Sequence, residues 1–142
     1  MSPDEQLADI VHILTHTRTV AVVGLSPKAH RDSHEVAEYM QRQGWRIIPI
    51  NPVAAASGQL ILGEPVYATL TEAAATERID LVNVFRNSAD CPPVVMEAIA
   101  LGAPAVWLQL GIRNDAAVAT ARAAGLRAVQ DRCLLVEHRR QR

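Results

Sequence analysis

The residues Thr19-Val20-Ala21-Val22-Val23 form a β-branched apolar run that ends in Gly24 and passes into Leu25-Ser26-Pro27-Lys28, with His30, Arg31, Asp32 and Ser33 following. The order of strand, glycine turn and helix start is that of a phosphate-binding loop. Free backbone amides and the positive end of the helix starting at Ser33 together favour an anion. Lys28, His30 and Arg31 add positive charge within a few residues. A dinucleotide fingerprint needs three glycines, and only the first is present. The segment therefore reads as a nucleotide-binding loop that does not follow the standard dinucleotide pattern, or as a solvated basic loop.

Three further loops begin where apolar runs end. Ile48-Pro49-Ile50 leads into Asn51-Pro52, where an NAD-binding domain carries Asp or Glu to grip the ribose hydroxyls. The neutral Asn51 can bond a ribose, a base or a phosphate, and suits a ribose that bears its own phosphate; equally, Asn-Pro simply makes a turn. Val84-Phe85-Arg86-Asn87-Ser88 puts the single phenylalanine beside an arginine. Phe85 can stack an adenine and Arg86 can pair with a phosphate, or Phe85 is core and Arg86 surface. Leu108-Gln109-Leu110-Gly111 brings an amide and a glycine that can close the same cleft, or Gly111 only turns the chain.

No catalytic set is expected. Ser26 lacks the G-x-S-x-G elbow. The histidines His12, His16, His30, His34 and His138 form no HExxH pair. His12 and His16 share a helix face, but two ligands make no closed metal site. Cys133 and His138 fall on different sides of a helix, so a structural role is expected for Cys133, Glu137 and His138. The expectation is a non-enzyme without metal.

The elements that position these loops follow from periodicity. Leu7, Ile10, Val11 and Leu14 give a helix that starts at Pro3. A second helix is expected over 33–43, with Val36, Ala37 and Met40 as its stripe, Asp32 and Ser33 as caps, and Asp32 with Glu35 at capping-box spacing. Strands are expected over 19–23, 45–50, 65–67, 79–85, 105–108 and 126–129. Pro49 should lie near a strand end or face a gap in the pairing. Residues 53–63 are expected to be a loop, Thr71 to cap a short helix, Asp90 to open a helix closing at Gly102, Asn114 or Asp115 to cap the next, and 131–138 to hold a final helical turn or two. Strands alternating with helices, their apolar runs nearly continuous, indicate an α/β fold: a Rossmann-like, doubly wound parallel sheet in three layers. The expected strand order is 3-2-1-4-5-6, with the four loops at the carboxyl edge.

Composition narrows the class. The 142 residues suit one domain over 1–142, and a net charge of −1 gives no electrostatic footprint for nucleic acid. Cys91 and Cys133 form no CxxC pair, which fits a reducing cytoplasm. Acidic residues in the first ten positions exclude a signal-peptide pattern there, and no apolar run reaches membrane length. A cytoplasmic protein with no membrane or nucleic-acid partner is expected.

Five segments together carry a resemblance: Val22-Val23-Gly24-Leu25-Ser26-Pro27-Lys28; Ile48-Pro49-Ile50-Asn51-Pro52; Asp80-Leu81-Val82-Asn83-Val84-Phe85-Arg86; Val106-Trp107-Leu108-Gln109-Leu110-Gly111-Ile112; and Asp131-Arg132-Cys133-Leu134-Leu135-Val136-Glu137-His138. The chain resembles the small single-domain CoA-binding proteins, whose fold is similar to the CoA-binding domain of the succinyl-CoA synthetase α subunit. The resemblance implies coenzyme A or an acyl-CoA as ligand, its phosphates against Gly24, Ser26, Pro27, Lys28 and Arg31. It implies the adenosine end near Asn51, Pro52, Phe85 and Arg86, with Gln109 and Gly111 at the border. Leu25 and Ser33 complete the expected loop. The chain departs from the family at Asp32-Ser33-His34, where Asp32 repels a phosphate unless it turns away to cap the helix. The synthetase uses a phosphorylated histidine in a second domain, so binding rather than ligase activity is implied. The alternatives are an NADP-dependent oxidoreductase and a nucleotide-sensing module that signals to a protein partner.

Overall fold

A computed structural model describes residues 2–141. The chain order is α1 (Pro3–His16), β1 (Thr19–Val23), α2 (Asp32–Arg42), β2 (Arg46–Ile50), α3 (Pro52–Ser57), α4 (Leu70–Ala74), β3 (Leu81–Val84), a 3-10 turn (Ser88–Asp90), α5 (Cys91–Ala100), β4 (Ala105–Leu108), α6 (Asp115–Ala123), β5 (Arg127–Val129) and α7 (Leu134–Arg140). The five strands form one parallel sheet in the order β2-β1-β3-β4-β5.

Alternation of side chains across the pleat splits the apolar residues into two cores. Ala21, Val23, Ile48, Val82, Val84, Val106 and Leu108 face α4, α5 and α6, meeting Leu70, Val95 and Val118. Val20, Val22, Ile47, Leu81 and Trp107 face the other way and meet Ile10 and Ile13 of α1, Val36 and Met40 of α2 and Leu134 of α7. The doubly wound, three-layer arrangement expected from the strand runs is the one observed.

Five strands form rather than six. The segment at Pro65-Val66-Tyr67 makes a single parallel bridge, Ile50 with Tyr67, on the outer side of β2. The expected order thus persists, with its third position reduced to one residue. The Tyr67 amide donates to the Pro49 carbonyl (3.0 Å), and the Asn51 amide donates to the Tyr67 carbonyl (2.9 Å). A parallel strand directs the N and O of one residue to the same side, so the donor that Pro49 lacks would have faced this nearly unpaired edge.

Residues 53–57, part of the segment 53–63 expected to be loop, are helical. The Asn51 side chain caps α3, Pro52 occupies its first turn, and Gly58 ends it at φ 72°. The cap of α4 is Thr69, not Thr71; the Thr69 hydroxyl accepts from the Glu72 amide, while Thr71 donates to Glu97. Asn114 caps α6.

On the far side of the sheet, α1 lies against β5 through polar as well as apolar residues. The Asp9 carboxylate accepts from Arg122, Arg127 and the Ala128 amide, and Gln6 Oε1 accepts from the Gln130 backbone amide. No helix among the described residues is long and apolar enough to cross a membrane.

Candidate functional site

The carboxyl ends of β1, β2 and β3 meet around Gly24. This residue has φ 87°, a conformation that disfavours side chains, and its amide donates to the Ile50 carbonyl at 2.9 Å. A Cβ at this position would lie 2.5 Å from the Phe85 carbonyl oxygen. The bare glycine therefore lets the first loop rest directly on the turn that follows β3.

Beyond Gly24 the loop is held by its own polar groups. The Ser26 amide donates to the Ser33 hydroxyl (3.0 Å), the Lys28 amide donates to the Ser26 hydroxyl (3.1 Å), and the Arg31 amide donates to the Lys28 carbonyl (3.1 Å). This arrangement corrects the expected capping. The N-cap of α2 is Arg31, which makes no side-chain capping bond, and Asp32 is the first helical residue. Ser33 does not cap because it is the second helical residue, and there its hydroxyl accepts from the Ser26 amide. The first turn of α2 is thus left without a side-chain cap, beside the Arg31 guanidinium, which is the environment an anion favours. The exposed Asp32 carboxylate opposes it.

Asn51 is fully engaged inside the protein. Its Oδ1 accepts from the Val53 and Ala54 amides (3.0 and 3.1 Å), and its Nδ2 donates to the Leu25 carbonyl at 2.9 Å. The side chain both starts α3 and anchors the glycine loop. Asn51→Ala is expected to cost about 1–2 kcal/mol, read as a Tm lower by roughly 5 °C. An unchanged Tm would show that the cap and the anchor contribute nothing.

Two hollows open along this edge. The smaller, about 360 Å³, is walled by the loop residues Gly24, Ser26, Arg31 and Ser33. The larger, about 730 Å³, lies between α2, the turns after β3 and β4, and α7. Asp32 and Phe85 belong to both walls, so the two hollows adjoin at these residues. Arg86, Gln109 and Gly111 join Phe85 in the larger part. Leu25 is wholly buried, and Pro27, Lys28, Asn51 and Pro52 lie outside both walls.

Gln109 is 5% exposed and its orientation is determined. Its Oε1 accepts from the Leu134 amide (3.3 Å) and from Asn83 Nδ2 (3.4 Å). Asn83 Nδ2 also donates to the Trp107 carbonyl (3.2 Å), which fixes that amide in turn. With Oε1 occupied on the protein side, the Gln109 NH2 group has no acceptor among the described residues and is left for the groove that the residue lines. Asn83 Oδ1, deep in the sheet, is buried without a partner.

The wall from α7 was not found in the sequence. Cys133, Leu135, Val136 and Arg139 line the larger hollow, as do Asn87 and Ser88. The rule that ligands bind beyond the carboxyl ends of strands includes the end of β5, which leads straight to Cys133. Applying it to the last strand as well as the inner ones would have found them. Cys133 is half-buried, whereas Cys91 is fully buried within the opposite core, where burial pushes its thiol up. Among the described residues no group of three or more His, Cys, Asp or Glu could hold a metal ion.

A family model described as a CoA binding domain matches residues 18–139. The protein YneT of Bacillus subtilis (strain 168), described as uncharacterized, is 37% identical over 131 residues, covering 92% of this chain and 93% of that protein. A hypothetical protein from Pyrococcus horikoshii OT3 has a TM-score of 0.87 and 33% identity, over 99% of this chain and 96% of that one. A Thermus thermophilus protein of solved structure has a TM-score of 0.85 and 34% identity, over 94% and 96% respectively.

Proposed function

The chain belongs to the CoA-binding domain family, and on that premise we propose that it binds coenzyme A or an acyl-CoA in the groove at the carboxyl edge of its sheet, without catalysing a reaction on it. The observation that carries this reading is that the two hollows adjoin along one edge of the sheet. A loop suited to phosphate opens, past Phe85, into a larger hollow that is partly apolar, matching a ligand with an anionic nucleotide head and a long, mostly neutral arm. Arg31 and Arg86 stand on the walls, and the exposed Lys28 lies on the loop beside them. The end of β2 presents Asn51 where an NAD-binding domain has a carboxylate, which removes a repulsion toward a phosphorylated ribose.

Each charge-assisted hydrogen bond to a phosphate contributes about 1.5–3 kcal/mol. Calorimetry with coenzyme A, dephospho-CoA, NAD and NADP tests the assignment. Coenzyme A is expected to bind, NAD to give no heat, and Arg86→Ala to weaken coenzyme A by about tenfold or more. Tight NAD or NADP binding with no response to coenzyme A would overturn it.

A further inference from the structure

Cys133 is presented to the groove by a segment pinned on both sides. Before it, the Arg132 carbonyl accepts from Trp107 Nε1 at 2.8 Å, and Asp131, at φ 56°, accepts from the Gly111 amide at 2.8 Å. After it, the Leu134 amide donates to Gln109 Oε1. That last bond places the Gln109 side-chain amide one residue from the thiol. The nine-tenths-buried Gln109 also brings an unpartnered NH2 donor to the same wall. A donor held in this way calls for a carbonyl on the occupant. Coenzyme A carries one near its end: the last amide carbonyl of the pantetheine arm is followed by only an N–H and two methylenes before the sulfur. A ligand whose carbonyl takes the Gln109 donor therefore brings its sulfur into the neighbourhood of Cys133.

We propose that Gln109 and Cys133 form a subsite for the amide-and-thiol end of the ligand, and that Cys133 captures coenzyme A covalently from its disulfide. This rests on the coenzyme A reading above. In the exchange, the Cys133 thiol gives its proton to solvent and the thiolate attacks one sulfur of CoA disulfide. A Cys133–CoA disulfide forms, the original S–S bond breaks, and the second coenzyme A leaves as a thiolate that takes up a proton. One disulfide is consumed and one is made, so no further oxidant is needed. The event is stoichiometric, and a reducing thiol reverses it.

The reduced full-length protein is incubated without oxygen with CoA disulfide or, separately, with glutathione disulfide, and followed by intact mass and peptide mapping. Binding of the CoA moiety raises the local concentration of its sulfur, so one CoA adduct at Cys133 is expected to form at least about tenfold faster than the glutathione adduct. Dithiothreitol is expected to remove it, Cys133→Ser to abolish it, and Gln109→Leu to slow it. Equal rates with the two disulfides, or an adduct at Cys91, would overturn the proposal. Absence of an adduct while calorimetry shows coenzyme A binding sinks this inference alone; absence of both sinks the ligand assignment with it. Should Gln109→Leu fail to fold, the comparison of the two disulfides on the unaltered chain still decides.

Discussion

Replacing Gly24 by alanine is expected to destabilise the protein by about 3 kcal/mol and to weaken coenzyme A binding at least tenfold. Two effects add. A non-glycine residue held at positive φ costs about 1–2 kcal/mol, and the new methyl must be accommodated 2.5 Å from a backbone oxygen, where overpacking costs about 1–3 kcal/mol. The neighbour is the Phe85 carbonyl in the turn directly after the inner strand β3, so neither side can yield without moving a wall of the groove. For a chain of this length the loss corresponds to a Tm lower by roughly 10 °C. Thermal denaturation and calorimetry on the same sample check it. A variant with unaltered Tm would mean that the loop relaxes freely and that the close approach of Gly24 to Phe85 is not required.

The second large effect lies far from the groove. The Asp9 side chain is 7% exposed and answers two arginines and a backbone amide at once. Asp9→Ala leaves the Arg122 guanidinium, 24% exposed, with only Glu5 and the Ala128 carbonyl, and strips the Ala128 amide of its acceptor. Removing one partner of a buried pair costs about 3–5 kcal/mol. Arg127 is nearly half exposed, so the lower end applies, and a Tm loss of roughly 10 °C is expected. Asp9→Asn, which keeps an acceptor for Ala128, should recover part of it. Urea denaturation of the two variants separates the outcomes; equal stabilities would show that the acceptor for the Ala128 amide contributes nothing and that the loss comes from the charge alone.

What was legible in the sequence was what local periodicity encodes. The apolar runs at Val20, Ile47, Val82 and Val106 specify a sheet covered on both faces, and the stripe of Val36, Ala37 and Met40 specifies the face α2 buries. What was not legible depends on partners distant in the chain. Tyr67 is extended, but whether it pairs depends on what lies beside β2, and only one bridge forms. Asn51 could be seen as a polar group at a strand end, yet its three hydrogen bonds all go to the protein, including one to Leu25. Ser33 has the composition of a cap, but the helix starts one residue before it and its hydroxyl serves the Ser26 amide. The α7 wall of the groove lies about a hundred residues from the glycine loop, and no local pattern announces that Cys133 and Phe85 line the same hollow.

The outer side of β2 has a consequence for how this protein behaves at high concentration. An open strand edge is a template on which a second chain can add, and proteins that leave one exposed aggregate. Here Pro49 offers no N–H to an incoming strand and its carbonyl is already taken by Tyr67. At the opposite edge, Asp9 and Gln6 occupy the Ala128 and Gln130 amides. A parallel sheet with five strands would otherwise have two sticky ends; here Pro49 interrupts the donors on one edge and side chains of α1 hold two amides on the other, which makes both poorer templates for sheet-to-sheet joining.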